Sequence, residues 1–390
     1  MAVVRTNRID VATDGRLTRQ AGRSGGAVTL TTLDRALPSD WLTKSDTTVT
    51  LGATIVLTPG TALEIDEPGT RLQLVGGATP QDASAIYSGS GRISLKGVSV
   101  TSVDPATGQA VAPDAPGRPF FSISSRGRFE AVDSTISDLG TPSTGIDNGR
   151  AGVSFNRGST GSLVRTTLQR NTTGLELSRS EAVQLQDVTF TESVSDGLVL
   201  TGDRGTTMSG IRATKNGDNG VAVKGETTGR PITGITTSGN GSYGVAVTGQ
   251  VGTQISGITT AGDQAGGLRI NRSADLHVTD FSATEQPAGV YVHVGSTGIL
   301  LDNIRTAGGR RGIVVEKSTD GLELRNSRIN GARVTGVGIG GKHVLLNGVQ
   351  VSDSRAAVRV ERGASACGSR TSPSRADATA SWRRRAPPAW

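Results

Sequence analysis

Arg269 and Asn271, then Tyr291 and His293, then Glu316 follow one another at intervals close to a repeating period, and their types suit acid–base work. An arginine is a permanent cation whose planar fork of donors holds a carboxylate well. A histidine or tyrosine can exchange a proton with a bound molecule, and a glutamate can orient the histidine. Arg269, Tyr291 and His293 are therefore the candidate catalytic residues. Asn271 and Glu316, with the turn pair Asp203–Arg204, are the candidate substrate-binding residues. The same side chains would equally serve as ordinary solvated groups, since many repeats give many chances for one polar cluster. Glu176 lies four repeats before Arg269, ~19 Å away at the spacing of paired strands, so those two do not form a site. His277, next to an inward Val278, and His343, in a Gly-Lys turn, read as structural.

The elements that must position these residues repeat. Gly-Val-Ala-Val begins at Gly220 and returns at Gly244, and the same figure opens at Gly152, Gly174, Gly197, Gly267, Gly289, Gly312 and Gly336, with Ala357 opening the last copy. Successive copies stand 21 to 24 residues apart. In each, the first and third residues after the glycine are apolar, as in Leu175/Leu177, Val221/Val223 and Leu268/Ile270. Alternation with period two marks a strand with one buried face, and the β-branched residues agree with it. A second short strand follows, as in "VQLQDVTF" and "HVLLNGV", and then a polar turn such as "NGDN". No helical pattern separates the strands, so each repeat is one coil of a solenoid pairing with the coils above and below. The Leu-x-x-Leu-x-Leu signature of leucine-rich repeats is missing. The pattern predicts an all-β, single-stranded right-handed parallel β-helix of about 23 residues per coil, with glycines at its tight corners.

The expected organisation is a flexible lead-in over 1–26, an N-terminal cap with a short helix over 27–45, the β-helix over 46–361, and a disordered Arg/Pro/Ala-rich tail over 362–390. The helix is expected within "TTLDRALPSDW" at 31–41.

Composition narrows the function. The net charge of +7 is concentrated in the tail, where five arginines after residue 363 face only Asp377. No basic stripe runs through the repeats, so nucleic acid is not an expected partner. Cys367 is the single cysteine, which excludes a disulfide framework and a thiolate metal site. "NGDNG" hints at calcium, but the Gly-Gly-x-Gly-x-Asp nonapeptide is missing, and neither a metal nor a cofactor is expected. No run is long enough to cross a bilayer, and the polar N-terminus does not read as a signal peptide.

Three segments carry a resemblance: "LEIDEPGTRLQL", "RPFFSI" and "GVYVHV". With the repeat, they make residues 45–361 resemble the periplasmic mannuronan (alginate) C-5 epimerase family and its pectin lyase-like relatives. That resemblance implies an extracellular, periplasmic or cell-envelope location and an acidic, uronic-acid polysaccharide as partner of a monomer. The family carries a catalytic Asp-Pro-His-Asp on the coil corresponding to "GLVLTGDRG". Here that coil reads Val199, Leu200, Thr201 and Gly202, followed by Asp203 and Arg204. The histidine is missing, so the resemblance implies the fold and leaves the activity open. Two functions stand: binding or modification of an acidic polysaccharide, as an epimerase or lyase if active, or a non-catalytic structural or adhesion solenoid of the cell envelope with a degenerate site. The scarcity of aromatic residues for stacking against sugar rings counts against the first.

Overall fold

The computed structural model of the chain describes residues 1–143, 149–226 and 231–370. Each copy of the repeat is one coil of a right-handed parallel β-helix, and each coil contributes strands to a front, a side and a back sheet. Among the described residues the front sheet runs through thirteen parallel strands from Ile55–Leu57 to Val358–Val360. It holds the strand that opens every copy, in strict register: Val221 faces Val245, and Val245 faces Leu268. In later coils the side and back strands merge into eight-residue strands such as Gln254–Ala261 and His277–Thr284. These bend midway at left-handed positions, Gly257 at φ 62° and Asp280 at φ 53°.

The alternation read from the sequence is the core. Leu177, Leu200, Val223, Val247 and Ile270 stack as one inward column, all buried. In the earlier coils Phe121, Phe129 and Phe155 pack edge-to-face with ring centroids 5.5 and 5.9 Å apart.

The repeated glycine has a cause other than a tight corner. A Cβ on Gly220 would lie 2.7 Å from the carbonyl oxygen of Gly244 in the next coil and 2.9 Å from Asn240 Nδ2. A Cβ on Gly336 would meet the Ala357 carbonyl at 2.7 Å. Close approach of the next coil, not a positive φ, excludes a side chain there. Ala357 opens the last described strand of the front sheet, and among the described residues no further coil crowds it.

Buried polar groups close the corners. Asn216 donates from Nδ2 to Asn240 Oδ1 at 2.9 Å, and Asn240 donates to Asp263 Oδ1 at 2.7 Å. Burial pushes the Asp263 carboxyl up, against the bonds it accepts from Asn240 and Thr237. "NGDNG" thus belongs to an amide ladder, with Asn216 inside it. Arg118, from "RPFFSI", is also buried and donates to the carbonyls of Leu139 and Arg170 and to the Thr172 hydroxyl. Burial lowers its pKa to about 10, an effect that Asp138 opposes.

Two expectations about the ends are corrected. Residues 1–26 are not a flexible lead-in: Ala2–Val4 pairs in parallel with Ile55–Leu57, and Arg8–Thr13 and Arg16–Gly22 extend the front sheet antiparallel. Ala2, Val4, Ile9 and Val11 are buried, but their alternation is too short to stand out between charged residues. The expected helix spans Leu30–Ala36 and is capped by Thr29, whose hydroxyl accepts from the Thr32 N–H at 3.3 Å. At the other end, Ala366–Arg370 is a strand paired with Val344–Asn347, not tail. It has no apolar period, yet backbone hydrogen bonds suffice to add a strand. The rest of the expected tail, 371–390, lies outside the described residues.

Candidate functional site

The second residue after each repeated glycine points outward from the front sheet, and the stack reads Ser154, Glu176, Val199, Ala222, Ala246, Arg269, Tyr291 and Val314. The register makes Arg269 and Tyr291 direct neighbours, as the spacing predicted. Tyr291 donates its hydroxyl to Glu316 Oε1. His293 follows its strand, with Nε2 3.5 Å from Glu316 Oε2 and its ring 5.5 Å from that of Tyr291. The 3.5 Å separation is close enough for Glu316 to stabilise an imidazolium and too long to hold Nε2 in a strong hydrogen bond. His293 Nδ1 is buried without a hydrogen-bond partner among the described residues.

Arg269 carries no ion pair to a described residue. Its guanidinium lies 5.7 Å from the centroid of the Tyr243 ring, a cation–π contact. Tyr243 is not legible in the sequence, because it precedes the glycine of its repeat and lies outside the alternation that follows it. Burial raises its pKa, Arg269 opposes that shift, and Glu316 adds to it, so the groups share one field. Tyr291 is pushed up to about 12, first by burial and then by its bond to the Glu316 carboxylate. At neutral pH it is therefore a proton donor and not a base.

That shift sets a pH dependence. Below pH 10 the phenol is neutral in both folded and unfolded chains, and its bond to Glu316 is present. As pH rises from ~10 through about 12, the unfolded chain ionises first and the stability held in that bond is lost. Spectrophotometric titration of the parent against Tyr291→Phe should show one phenol ionising near pH 12. Ionisation of that phenol near pH 10 would contradict its bond to Glu316.

The remaining predicted residues make no side-chain hydrogen bond or ion pair to this cluster among the described residues. Asn271 ends its strand beside Thr248, and its backbone carbonyl accepts from Gly249. Asp203 is corrected: it is only 2% exposed, turned inward to accept from the Ser180 hydroxyl at 2.6 Å, and out of reach of a substrate. Arg204 points outward without it. His277 keeps a buried Nε2 with no hydrogen-bond partner among the described residues, on the back sheet, and the exposed His343 meets Asp320 at 2.6 Å.

A cleft of about 630 Å³ opens further down the same face, lined by Tyr87, Phe120, Arg150, Ser154, Asn156 and Glu176. Tyr87 and Phe120 meet edge-to-face at 5.5 Å, and Arg150 lies over Phe120 at 4.7 Å. Burial raises the Glu176 pKa, with Lys224 opposing. The early coils repeat too loosely for their outward positions to be aligned from the sequence, so the cleft went unseen. Between cleft and cluster, Val199, Ala222 and Ala246 point outward yet are buried, so neighbouring side chains stand above them and the face is grooved.

Residues 219–372 match the family model for a right-handed β-helix region, and residues 129–257 match that of the periplasmic copper-binding protein NosD. The segment matching the copper-binding family contains no histidine or cysteine, and no group of three or more His, Cys, Asp or Glu side chains is placed to hold a metal among the described residues. Its one thioether, Met208, is buried in the core, so the segment offers copper neither an imidazole nor a thiolate. No curated protein sequence matches the chain. Among solved structures, the periplasmic alginate epimerase AlgG is similar over 90% of this chain and 84% of its own, at 14% identity and a TM-score of 0.61. The catalytic domain of a GH87 α-1,3-glucanase is similar over 82% of this chain and 64% of its own, at 10% identity and a TM-score of 0.53. At these identities the likeness establishes the fold, a right-handed parallel β-helix shared with carbohydrate-active enzymes. No described helix is long and apolar enough to cross a membrane.

Proposed function

We propose that the protein binds a polysaccharide along its front groove and exchanges a proton on it at the Arg269–Tyr291–His293–Glu316 cluster. One observation carries this reading: all three tyrosines of the chain, Tyr87, Tyr243 and Tyr291, stand on the outer side of the front sheet. The phenols of the chain are gathered on the one face that also presents an arginine with no carboxylate partner among the described residues. An acidic sugar fits this arrangement. Its carboxylate would pair with Arg269, which makes the adjacent C5 proton more acidic. His293 would take that proton at Nε2, with Glu316 stabilising the imidazolium. Tyr291 would deliver its own proton, either to the opposite face of C5, giving the epimer, or to the departing glycosidic oxygen, giving chain cleavage. Glu316, beside both groups, would return the proton from His293 to Tyr291. A periplasmic or cell-envelope location goes with this reading, supported by the descriptions of the NosD family and the AlgG structures.

The test is incubation with polymannuronate, a pectic polymer and a neutral α-1,3-glucan, following C5 stereochemistry by NMR and chain length by chromatography. Inverted C5 centres identify an epimerase, and unsaturated ends a lyase. Action on the neutral glucan alone would remove the acidic substrate. Failure to bind or alter any of the three would favour the structural solenoid of the envelope.

A further inference from the structure

We infer that the corner following the early front strands is a second carbohydrate site, one built to take a uronic-acid unit through its carboxylate and its hydroxyls together. This rests on the reading of the front face as a polysaccharide surface and extends that surface around its edge. A cavity of about 500 Å³ there is lined by Arg157, Arg179 and Arg204 from three consecutive coils, with Glu181 and Glu226 beside them. Arg157 and Arg179 stand one above the other on coils ~4.8 Å apart, and Arg204 stands beside Glu181 in the neighbouring column. None of the five side chains has a hydrogen bond or ion pair to a described residue, although both signs of charge are present.

Arg157 and Arg179 occupy a left-handed corner position, at φ 28° and 52°, and the next three coils fill that position with Gly202, Gly225 and Gly249. A side chain is disfavoured in this conformation, and glycine takes it freely. The two coils that line the cavity carry arginine instead, as does the coil after Gly249, where Arg272 takes the position at φ 46°. What sets Arg157 and Arg179 apart is the cavity, which they line with Arg204, Glu181 and Glu226 as charges of both signs, unpaired among the described residues, and that points to a ligand.

The mixture of charges selects the ligand class. Arginine only donates and an ionised glutamate only accepts, so the cavity offers forked donors for a carboxylate and acceptors for hydroxyls. A simple polyanion would use the arginines and be repelled by Glu181 and Glu226. A neutral sugar would leave the arginines without an anion. A uronic acid uses both.

Isothermal titration calorimetry with oligomannuronate and oligogalacturonate tests this. The triple variant Arg157→Gly, Arg179→Gly, Arg204→Gln should weaken binding at least tenfold and flatten its dependence on salt. Its melting temperature should hold or rise, because glycine already fills this position in the following coils. Glu181→Gln with Glu226→Gln should also weaken binding; tighter binding would overturn the uronic-acid assignment in favour of a bare polyanion site. If the triple variant binds as the parent does while Arg269→Ala abolishes binding, the corner site falls and the front-face reading stands. If the parent binds no uronic-acid oligomer, both fall.

Discussion

His293→Ala should lower turnover on a uronic-acid polymer by ~10²–10⁴, the range expected when a general acid or base is removed. The histidine is exposed enough to act, with 35% of its side chain open to solvent, and Nε2 is its open nitrogen. The substitution should leave the melting temperature close to the parent's, because no strand or core column depends on this ring. Arg269→Ala should act differently. It removes the cation that holds the carboxylate, so affinity falls and the loss is larger at low salt, where charge pairing is least screened. Tyr291→Phe separates the two proton roles: the proton should still leave C5, so exchange with solvent deuterium persists while product formation drops. Parent-like turnover in both His293→Ala and Arg269→Ala would move the chemistry off this cluster, and the cleft around Glu176 would be the place to look.

Val223→Asp should be the most damaging single change to the fold. Val223 is fully buried between Leu200 and Val247 in the inward column. Losing it gives up ~1.5–3 kcal/mol of apolar burial, and the carboxylate that replaces it has no partner, which adds a desolvation cost of several kcal/mol. A coil that cannot close also withdraws the pairing surface of its two neighbours, so the damage spreads along the stack. Thermal melting followed by circular dichroism should show a large drop or no cooperative transition. The outward Thr248→Asp should cost about 1 kcal/mol or less. Equal melting of the two variants would mean that the inward and outward faces have been exchanged.

The inward columns, the coil length and the pairing of successive repeats could all be read in advance, because side-chain alternation is a property of the strand itself and survives in the order of residues. The adjacency of Arg269 and Tyr291 followed from the same register. Tyr243 did not, because its approach to Arg269 depends on a ring reaching across from the neighbouring strand.

Burial was the other thing the order of residues could not state. Asp203 and Arg204 are consecutive and polar, yet one accepts a bond from Ser180 in the interior and the other lines an outer cavity. Whether a turn residue faces in or out is decided by the coil 23 positions away, through which groups it must satisfy and how much room it leaves. The repeated glycine shows the division. Its presence was plain in the sequence, but its cause, the carbonyl of the next coil at 2.7 Å from where a Cβ would stand on Gly220, exists only once the coils are stacked. Local alternation determined the solenoid; contact between coils decided which of its polar residues face a ligand.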